Sequence, residues 1–139
     1  MAKVEQKTPI ARVENDEMFY IDDEGFRMPL STEHSARVPL VYGVVEDEDL
    51  QRVYKLALAA FNDSFLKIYL TEIHQNKNKE ISLKLRLLDF EVLVGNIDNL
   101  EQKLKNLKAF YQKAKKDNML DVYKSVNLQF DNQVVCTKK

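Results

Sequence analysis

Residues 123–136, with the sequence YKSVNLQFDNQVVC, decide the fold that we predict for this chain. Val126, Leu128 and Phe130 alternate with polar residues, and this period of two is typical of a strand with one buried face. Two adjacent valines follow shortly before the chain ends. Such a terminal strand is expected at or near a sheet edge, where unpaired backbone N–H and C=O groups can pair with another chain. We therefore predict that this strand is the binding surface of the protein and that the rest of the chain is the scaffold that positions it.

The composition is that of one soluble globular domain. The 139 residues are 45% hydrophobic and 31% charged, which is ordinary for such a domain. The formal net charge of −1 provides no broad basic field, so binding to nucleic acid is not predicted. The longest apolar run, residues 56–61, is far shorter than the roughly 20 residues of a membrane span. The amino end does not resemble a signal peptide, and the single cysteine excludes an internal disulfide.

The apolar spacing predicts an α+β fold. Alternating or apolar runs predict strands at residues 3–13, 18–21, 26–30, 38–43, 65–73, 80–88 and 90–94. Apolar residues at steps of three and four predict helices at residues 47–61 and 99–116. From this order we expect a largely antiparallel sheet with both helices on one face and the C-terminal strand at or near the edge.

The sequence contains no recognisable catalytic or metal-binding motif. His34 and His74 lie far apart and have no cysteine or carboxylate at the spacing of metal ligands, so both are interpreted as structural or surface residues. The acidic residues 22–24 lack the ligand pattern of a calcium loop and are interpreted as a solvated hairpin tip. Cys136 has no neighbouring base that would make it a nucleophile. We predict no catalytic residue, no metal and no cofactor.

The second predicted helix is rich in lysine. Its lysines are Lys103, Lys105, Lys108, Lys113, Lys115 and Lys116. Such a helix can meet phosphate or another anionic surface, but acidic residues dilute the patch and no aromatic residues are interleaved in a stacking array. We interpret it as a solvated helix face.

Five separated stretches together resemble a known family. They are TPIARV at residues 8–13, YIDDEG at 20–25 followed by Pro29 and Leu30, VPLVYG at 38–43, VLVG at 92–95 and SVNLQFD at 125–131. In order and spacing they are similar to the extracytoplasmic part of the bacterial cell-division family FtsQ, called DivIB in some lineages. The ending VVCTKK resembles the Bacteroidetes branch.

The resemblance implies a domain organisation and a location. Family members have a short cytoplasmic tail, one membrane helix, a POTRA domain and a β-domain. By this comparison, residues 1–15 are the remnant of the last POTRA strand and residues 16–139 are the β-domain. The full-length protein is then expected to be a single-pass inner-membrane protein with this domain in the periplasm, anchored by an N-terminal helix that this chain lacks.

The resemblance also implies a function and a set of contact residues. It implies a non-enzymatic scaffold that binds FtsB-like and FtsL-like (DivIC-like) division proteins by strand addition and links division-complex assembly to septal peptidoglycan synthesis. The implied partner-binding residues are Phe130, Asn132, Val134, Val135, Leu128, Tyr111, Lys108, Gln112 and Lys115. Family members often have tyrosine where this chain has Phe130, and the substitution loses a hydroxyl but keeps the apolar ring.

Two other interpretations remain open from the sequence. The chain can be a small-ligand-binding or enzymatic α+β domain of unknown substrate, which requires a concave pocket with convergent polar groups. Alternatively, the exposed edge can pair with a second copy, although we expect the isolated domain to be a monomer. A monomer at high concentration would exclude this self-pairing.

Overall fold

One mixed sheet and three helices make up the described residues, which are 8–29, 37–44, 46–130 and 133–139 of this computed structural model. The strands are β1 (Pro9–Val13), β2 (Phe19–Asp22), β3 (Arg27–Met28), β4 (Leu40–Tyr42), β5 (Leu70–Gln75), β6 (Ile81–Leu85), β7 (Glu91–Gly95), β8 (Tyr123–Phe130) and β9 (Gln133–Lys138). The helices are α1 (Asp47–Phe61), α2 (Leu66–Tyr69) and α3 (Leu100–Lys116). The two long helices therefore match their predicted positions closely.

The strand order is β3-β2-β1-β4-β5-β6-β7-β8-β9, and the pairing corrects the predicted sheet type. The β1–β4, β4–β5 and β7–β8 pairs are parallel and the other pairs are antiparallel, so the sheet is mixed rather than largely antiparallel. Two of the parallel pairs follow from helical connections: α1 with α2 connects β4 to β5, and α3 connects β7 to β8. A helical crossover returns the chain to the end of the sheet where the previous strand began, so the next strand runs parallel to it. Hydrophobic periodicity within a strand does not carry this information.

Both helices cover the same face of the sheet. Five fully buried residues are direct neighbours on successive strands from β4 to β8: Val41, Ile73, Leu83, Val92 and Val126. Leu56 of α1 and Leu107 of α3 belong to the same core cluster. Because strand side chains alternate between faces, the intervening residues lie on the opposite, helix-free face. The predicted placement of both helices on one face is confirmed.

The segment predicted as one strand at residues 65–73 is split. Residues 66–69 form α2, and only the part from Leu70 onward joins the sheet as β5. The rings of Phe65 and Tyr69 lie 4.8 Å apart, and both pack against Tyr111 of α3. This close packing requires a helical turn, in which residues four apart rise by only about 6 Å, whereas in a strand Phe65 and Tyr69 would be about 13 Å apart. Tertiary contact therefore overrides the local pattern.

Strand β1 lies inside the sheet, between β2 and β4. Ile10, Ala11 and Val13 are buried in the common core. The described part of the segment that was expected to end a POTRA domain is thus integral to this sheet and shares its core. The assignment of residues 1–15 to an upstream domain stays a prediction, and residues 1–7 lie outside the described residues.

The predicted hairpin is confirmed by the antiparallel pairing of β2 and β3, but its acidic tip is not wholly solvated. Asp22 is fully buried, and its Oδ1 accepts hydrogen bonds from the backbone N–H groups of Glu24 (2.9 Å) and Phe26 (2.8 Å). Gly25 provides the positive φ of 91° that the turn needs. Asp22 is therefore a turn-forming residue, while Asp23 and Glu24 are exposed as expected.

Candidate protein-binding edge

The last strand, β9, forms one edge of the sheet. Within the described residues β9 pairs with β8 alone, and the antiparallel register places Val126 beside Cys136 and Asn127 beside Val135. In an antiparallel pair, alternate residues turn their N–H and C=O groups away from the partner strand. The outer side of β9 therefore presents a backbone ladder on which a further strand can form.

The middle of β9 is apolar on both faces. Val134 and Cys136 are half-buried on the helix side, where they pack against the core cluster. Burial raises the pKa of the Cys136 thiol. Val135 points to the helix-free face and is 38% exposed. An additional strand would cover apolar side chains on both faces, which would stabilise its attachment beyond the backbone hydrogen bonds.

The predicted terminal strand is in fact two strands. Residues 123–136 were expected to form one strand, but β8 ends at Phe130 and β9 begins at Gln133. Asp131 and Asn132 separate the two and lie outside the described residues, so the predicted contact of Asn132 has no structural description here. The edge position therefore belongs to β9, and β8 lies one strand inward.

The separation of β8 and β9 changes the position of two predicted contacts. Phe130 lies at the end of β8 opposite Gln133 and is 52% exposed, so it can meet a partner through its side chain only near that end of the edge. Leu128 is 1% exposed and belongs to the core cluster. The prediction that the Leu128 side chain contacts a partner is wrong, because a side chain buried in the core cannot touch a partner while the domain stays folded.

The predicted contacts on α3 lie away from β9. Lys108 Nζ is 3.8 Å from Asp63 Oδ1, which follows α1. Tyr111 donates a 3.4 Å hydrogen bond to the Tyr69 hydroxyl of α2, and this bond, together with burial, raises the pKa of Tyr111. These contacts place Lys108 and Tyr111 on the side of α3 that faces α1 and α2, toward the middle of the sheet.

Of the other two predicted α3 residues, one lies beside Tyr111 and the other is exposed to solvent. Lys115 Nζ lies 6.0 Å from the centroid of the Tyr111 ring, and Gln112 is exposed. The structure therefore does not bring these α3 residues together with β9, and their role in partner binding stays a prediction. Phe110, also on α3, packs toward the start of β8, where its ring meets Tyr123 edge-on, and it meets Phe90 in the same way.

Sequence reasoning missed that a separate strand begins at Gln133 and continues to Lys138, beyond the predicted end at Cys136. Cys136 and Thr137 continue β9, and Gln133 begins it. Three β-branched residues, Val134, Val135 and Thr137, come shortly after the turn-favouring pair at 131–132, and this pattern is the signal that a second strand follows. That signal was available in the sequence.

Lys103 was interpreted as part of a solvated face, but it is buried and fastens α3 to the end of β7. Its Nζ donates hydrogen bonds to the backbone carbonyl oxygens of Val94 (3.0 Å) and Asn96 (2.8 Å) and to Asn96 Oδ1 (3.2 Å). Only 8% of the residue is exposed. Because α3 packs against β8 and β9, this lysine helps to fix the helix beside the edge.

We expect Lys103→Met to lower the free energy of unfolding by about 2 kcal/mol, because it removes charge-assisted hydrogen bonds and takes this donor away from the carbonyl group of the buried residue Val94. Urea denaturation followed by circular dichroism measures the change. Lys105→Met, at an exposed position of the same helix, is the control and should change stability by less than about 0.5 kcal/mol. Equal effects of the two substitutions would contradict the anchoring role.

The described residues contain no group of three or more His, Cys, Asp or Glu side chains that could hold a metal ion. His74 Nε2 lies 2.8 Å from Glu72 Oε1, and its ring stacks on Tyr42 at 4.9 Å. His34 lies outside the described residues. Among the helices of the described part, none is long and apolar enough to cross a membrane.

The comparison with known proteins identifies the family. The chain belongs to the family described as FtsQ/DivIB, C-terminal related, whose profile matches residues 8–137. This is a family of bacterial cell-division proteins, and the resemblance found in the sequence is confirmed. No match was found among curated proteins.

Among solved structures, the chain is similar to the major extracytoplasmic domain of the trans isomer of the bacterial cell division protein DivIB from Geobacillus stearothermophilus. The identity is 15% and the TM-score is 0.46, with 66% of this chain and 81% of that chain covered.

Proposed function

We propose that this chain is the extracytoplasmic β-domain of a non-enzymatic division scaffold that binds an FtsB-like protein, together with an FtsL-like protein, by strand addition to β9. In this proposal the full-length protein is a single-pass inner-membrane protein, the domain lies in the periplasm, and partner binding links assembly of the division complex to septal peptidoglycan synthesis. Family membership supports the division role.

The observation that carries the proposal is the position of β9 at the edge of the nine-stranded sheet. Its backbone can supply the hydrogen bonds, while Val135 on one face and Val134 with Cys136 on the other can supply specificity. The exposed ring of Phe130 extends this apolar surface at the start of the strand. No cofactor or catalytic step is needed.

Isothermal titration calorimetry with the extracytoplasmic segment of the FtsB-like protein from the same organism tests the proposal. We expect Val135→Lys to weaken binding about tenfold, because the substitution removes an apolar contact and requires a charged group to be desolvated. The lysine should be tolerated in the free domain, since this side chain already lies on the helix-free face and reaches solvent.

Ile68→Lys is the matched control. Ile68 is 63% exposed on α2, far from β9 in the order of elements, so the substitution introduces the same charge without touching the edge. Circular dichroism establishes that both variants fold. If Val135→Lys and Ile68→Lys bind as tightly as the parent, strand addition at β9 is refuted. If the folded parent does not bind, the choice of partner is refuted.

Alkylation of Cys136 gives a second readout that does not depend on a substitution. Cys136 is the only cysteine, and the thiolate is the reacting form. Because its pKa is raised, the alkylation rate should be low at neutral pH and should increase as the pH rises toward that pKa. At a fixed pH near 8.5, bound partner should slow iodoacetamide labelling of the parent several-fold, since the added strand would cover the half-buried thiol.

A further inference from the structure

A second surface lies at the opposite side of the sheet from β9, where β1 and β4 begin. A cavity of about 240 Å³ lies there between α1, α2 and the first residues of these two strands. Its wall includes Ala57, Ala60, Leu66 and Leu70, all of which are nearly or fully buried. The cavity exists because two small alanine side chains of α1 face a region that α2 does not fill.

The cavity is apolar inside and cationic at its exposed rim. Arg37 and Lys67 line it and are exposed, whereas the interior side chains are hydrocarbon. Lys67 Nζ stands 4.6 Å from the centroid of the Phe61 ring, which also lines the cavity, so the ammonium group is held against the cavity wall.

Neither cation is neutralised by a carboxylate in the part of the chain that the structure describes. The salt bridges found there involve other basic residues. The nearest acidic residue in sequence to Lys67 is Asp63, whose carboxylate instead lies 3.8 Å from Lys108 Nζ and accepts the N–H of Phe65. Two positive charges that have no carboxylate partner among the described residues lie beside an apolar cavity, and together they complement a molecule with an anionic head and a hydrocarbon tail.

The volume sets the size of that molecule. An apolar protein cavity of about 150 Å³ stays dry and takes benzene, with six carbons, so 240 Å³ corresponds to roughly ten non-hydrogen atoms. Sites for drug-sized ligands begin near 300 Å³. An acyl chain of about eight carbons with a carboxylate is of this size.

We propose that this cavity is a binding site for a free medium-chain carboxylate, with the acyl tail against Ala57, Ala60 and Leu66 and the carboxylate at Lys67 and Arg37. The site is separate from β9 and does not depend on the proposed division role. Binding at millimolar ligand concentration would stabilise the region where the amino-terminal strand joins α1 and α2.

Two-dimensional ¹H–¹⁵N NMR of the ¹⁵N-labelled protein, titrated with sodium octanoate, tests the site. We expect saturable shifts centred on the amides of Ala57, Ala60 and Leu66, with a Kd of about 1 mM. Acetate has the same head without the tail and should produce no saturable shift. 1-Octanol has the same tail without the charge and should bind several-fold more weakly than octanoate.

Two variants separate the contributions of the tail and the head. Ala60→Leu should fill the cavity and abolish the saturable shifts, while Lys67→Gln should weaken octanoate binding about threefold and leave 1-octanol binding unchanged. Lys55→Gln, an exposed position of α1 that does not line the cavity, is the charge control and should have no effect. If Ala60→Leu does not fold, Lys67→Gln alone decides the head-group role.

The proposal is overturned if octanoate produces no saturable shift, or if the shifts centre on residues outside the cavity. It is also overturned if octanoate and 1-octanol bind equally and Lys67→Gln changes neither, because the cationic rim would then have no role.

Discussion

Gly43→Ala is expected to lower the free energy of unfolding by about 4 kcal/mol, the largest effect that we predict for a single substitution in this chain. Gly43 follows β4 with a φ of +89°, a region that costs a residue with a Cβ atom about 1–2 kcal/mol. A Cβ atom at this position would also lie 1.9 Å from the backbone oxygen of Gln75, at the end of β5. That atom cannot rotate away, so β4 and β5 must move apart, which adds roughly 1–3 kcal/mol.

Thermal and urea denaturation of Gly43→Ala should show a fall in Tm of more than roughly 10 °C. Gly25→Ala is the matched control, because Gly25 has nearly the same φ of +91° but a Cβ there would meet only the Tyr54 ring at 3.4 Å. We expect this control to lose about 1–2 kcal/mol. A loss as small for Gly43→Ala would contradict the close approach of the two strands.

Asp49→Asn is expected to lower the free energy of unfolding by about 3 kcal/mol. Asp49 has no exposed surface, and its Oδ2 accepts hydrogen bonds from the Glu46 backbone N–H (2.9 Å) and from Lys79 Nζ (3.0 Å). It also forms an ion pair with Arg52 one helical turn further on. The residue therefore caps α1 and joins it to the loop before β6. Removing the charge leaves two cations facing a neutral amide, and breaking a buried pair in this way typically costs about 3–5 kcal/mol.

We place the effect of Asp49→Asn at the lower end because the Arg52 and Lys79 side chains are 27% and 39% exposed and can regain water. Asp47→Asn is the control: Asp47 is in the same first turn, is 91% exposed, and pairs with Arg27 at the surface. Asp47→Asn should lower the free energy of unfolding by less than about 1 kcal/mol. Urea is the suitable denaturant, because guanidinium chloride would screen the charges under test. Similar values for the two variants would mean that the buried carboxylate contributes no more than a surface one.

The parts of the fold that the sequence predicted are those with local causes. The helix at residues 47–61 was predicted at its observed bounds because its apolar spacing and acidic first turn both lie within the segment. Alternation also predicted the strand at residues 80–88, although the observed strand, Ile81–Leu85, ends three residues earlier. The parallel pairings were not predictable in this way, since they depend on how α1 and α3 return the chain across the sheet.

The candidate site was predicted in type but not in detail. The alternation of residues 126–130 correctly indicated a C-terminal strand, yet it could not show that a second strand would take the edge position. Leu128 and Phe130 share one face by sequence, but Leu128 is buried in the core cluster whereas Phe130, at the end of β8, is half-exposed. Lys103 could not be singled out from the other lysines of α3. Its two carbonyl acceptors lie at the end of β7, and nothing in the local sequence indicates that they would meet this side chain.

The interior position of β1 has a mechanical consequence. A tensile force applied between the amino-terminal strand and a molecule bound at β9 would act perpendicular to the strands. It would be transmitted through each strand pairing in turn from β1 to β9. The β1–β4 joint has only two register pairs, Arg12 with Leu40 and Val13 with Val41, whereas β5–β6 has five. Under tension the short β1–β4 pairing would separate before the longer strand pairings in the rest of the sheet. The weakest element under tension would then lie near the amino-terminal strand, and the β8–β9 edge would remain intact after the sheet begins to separate.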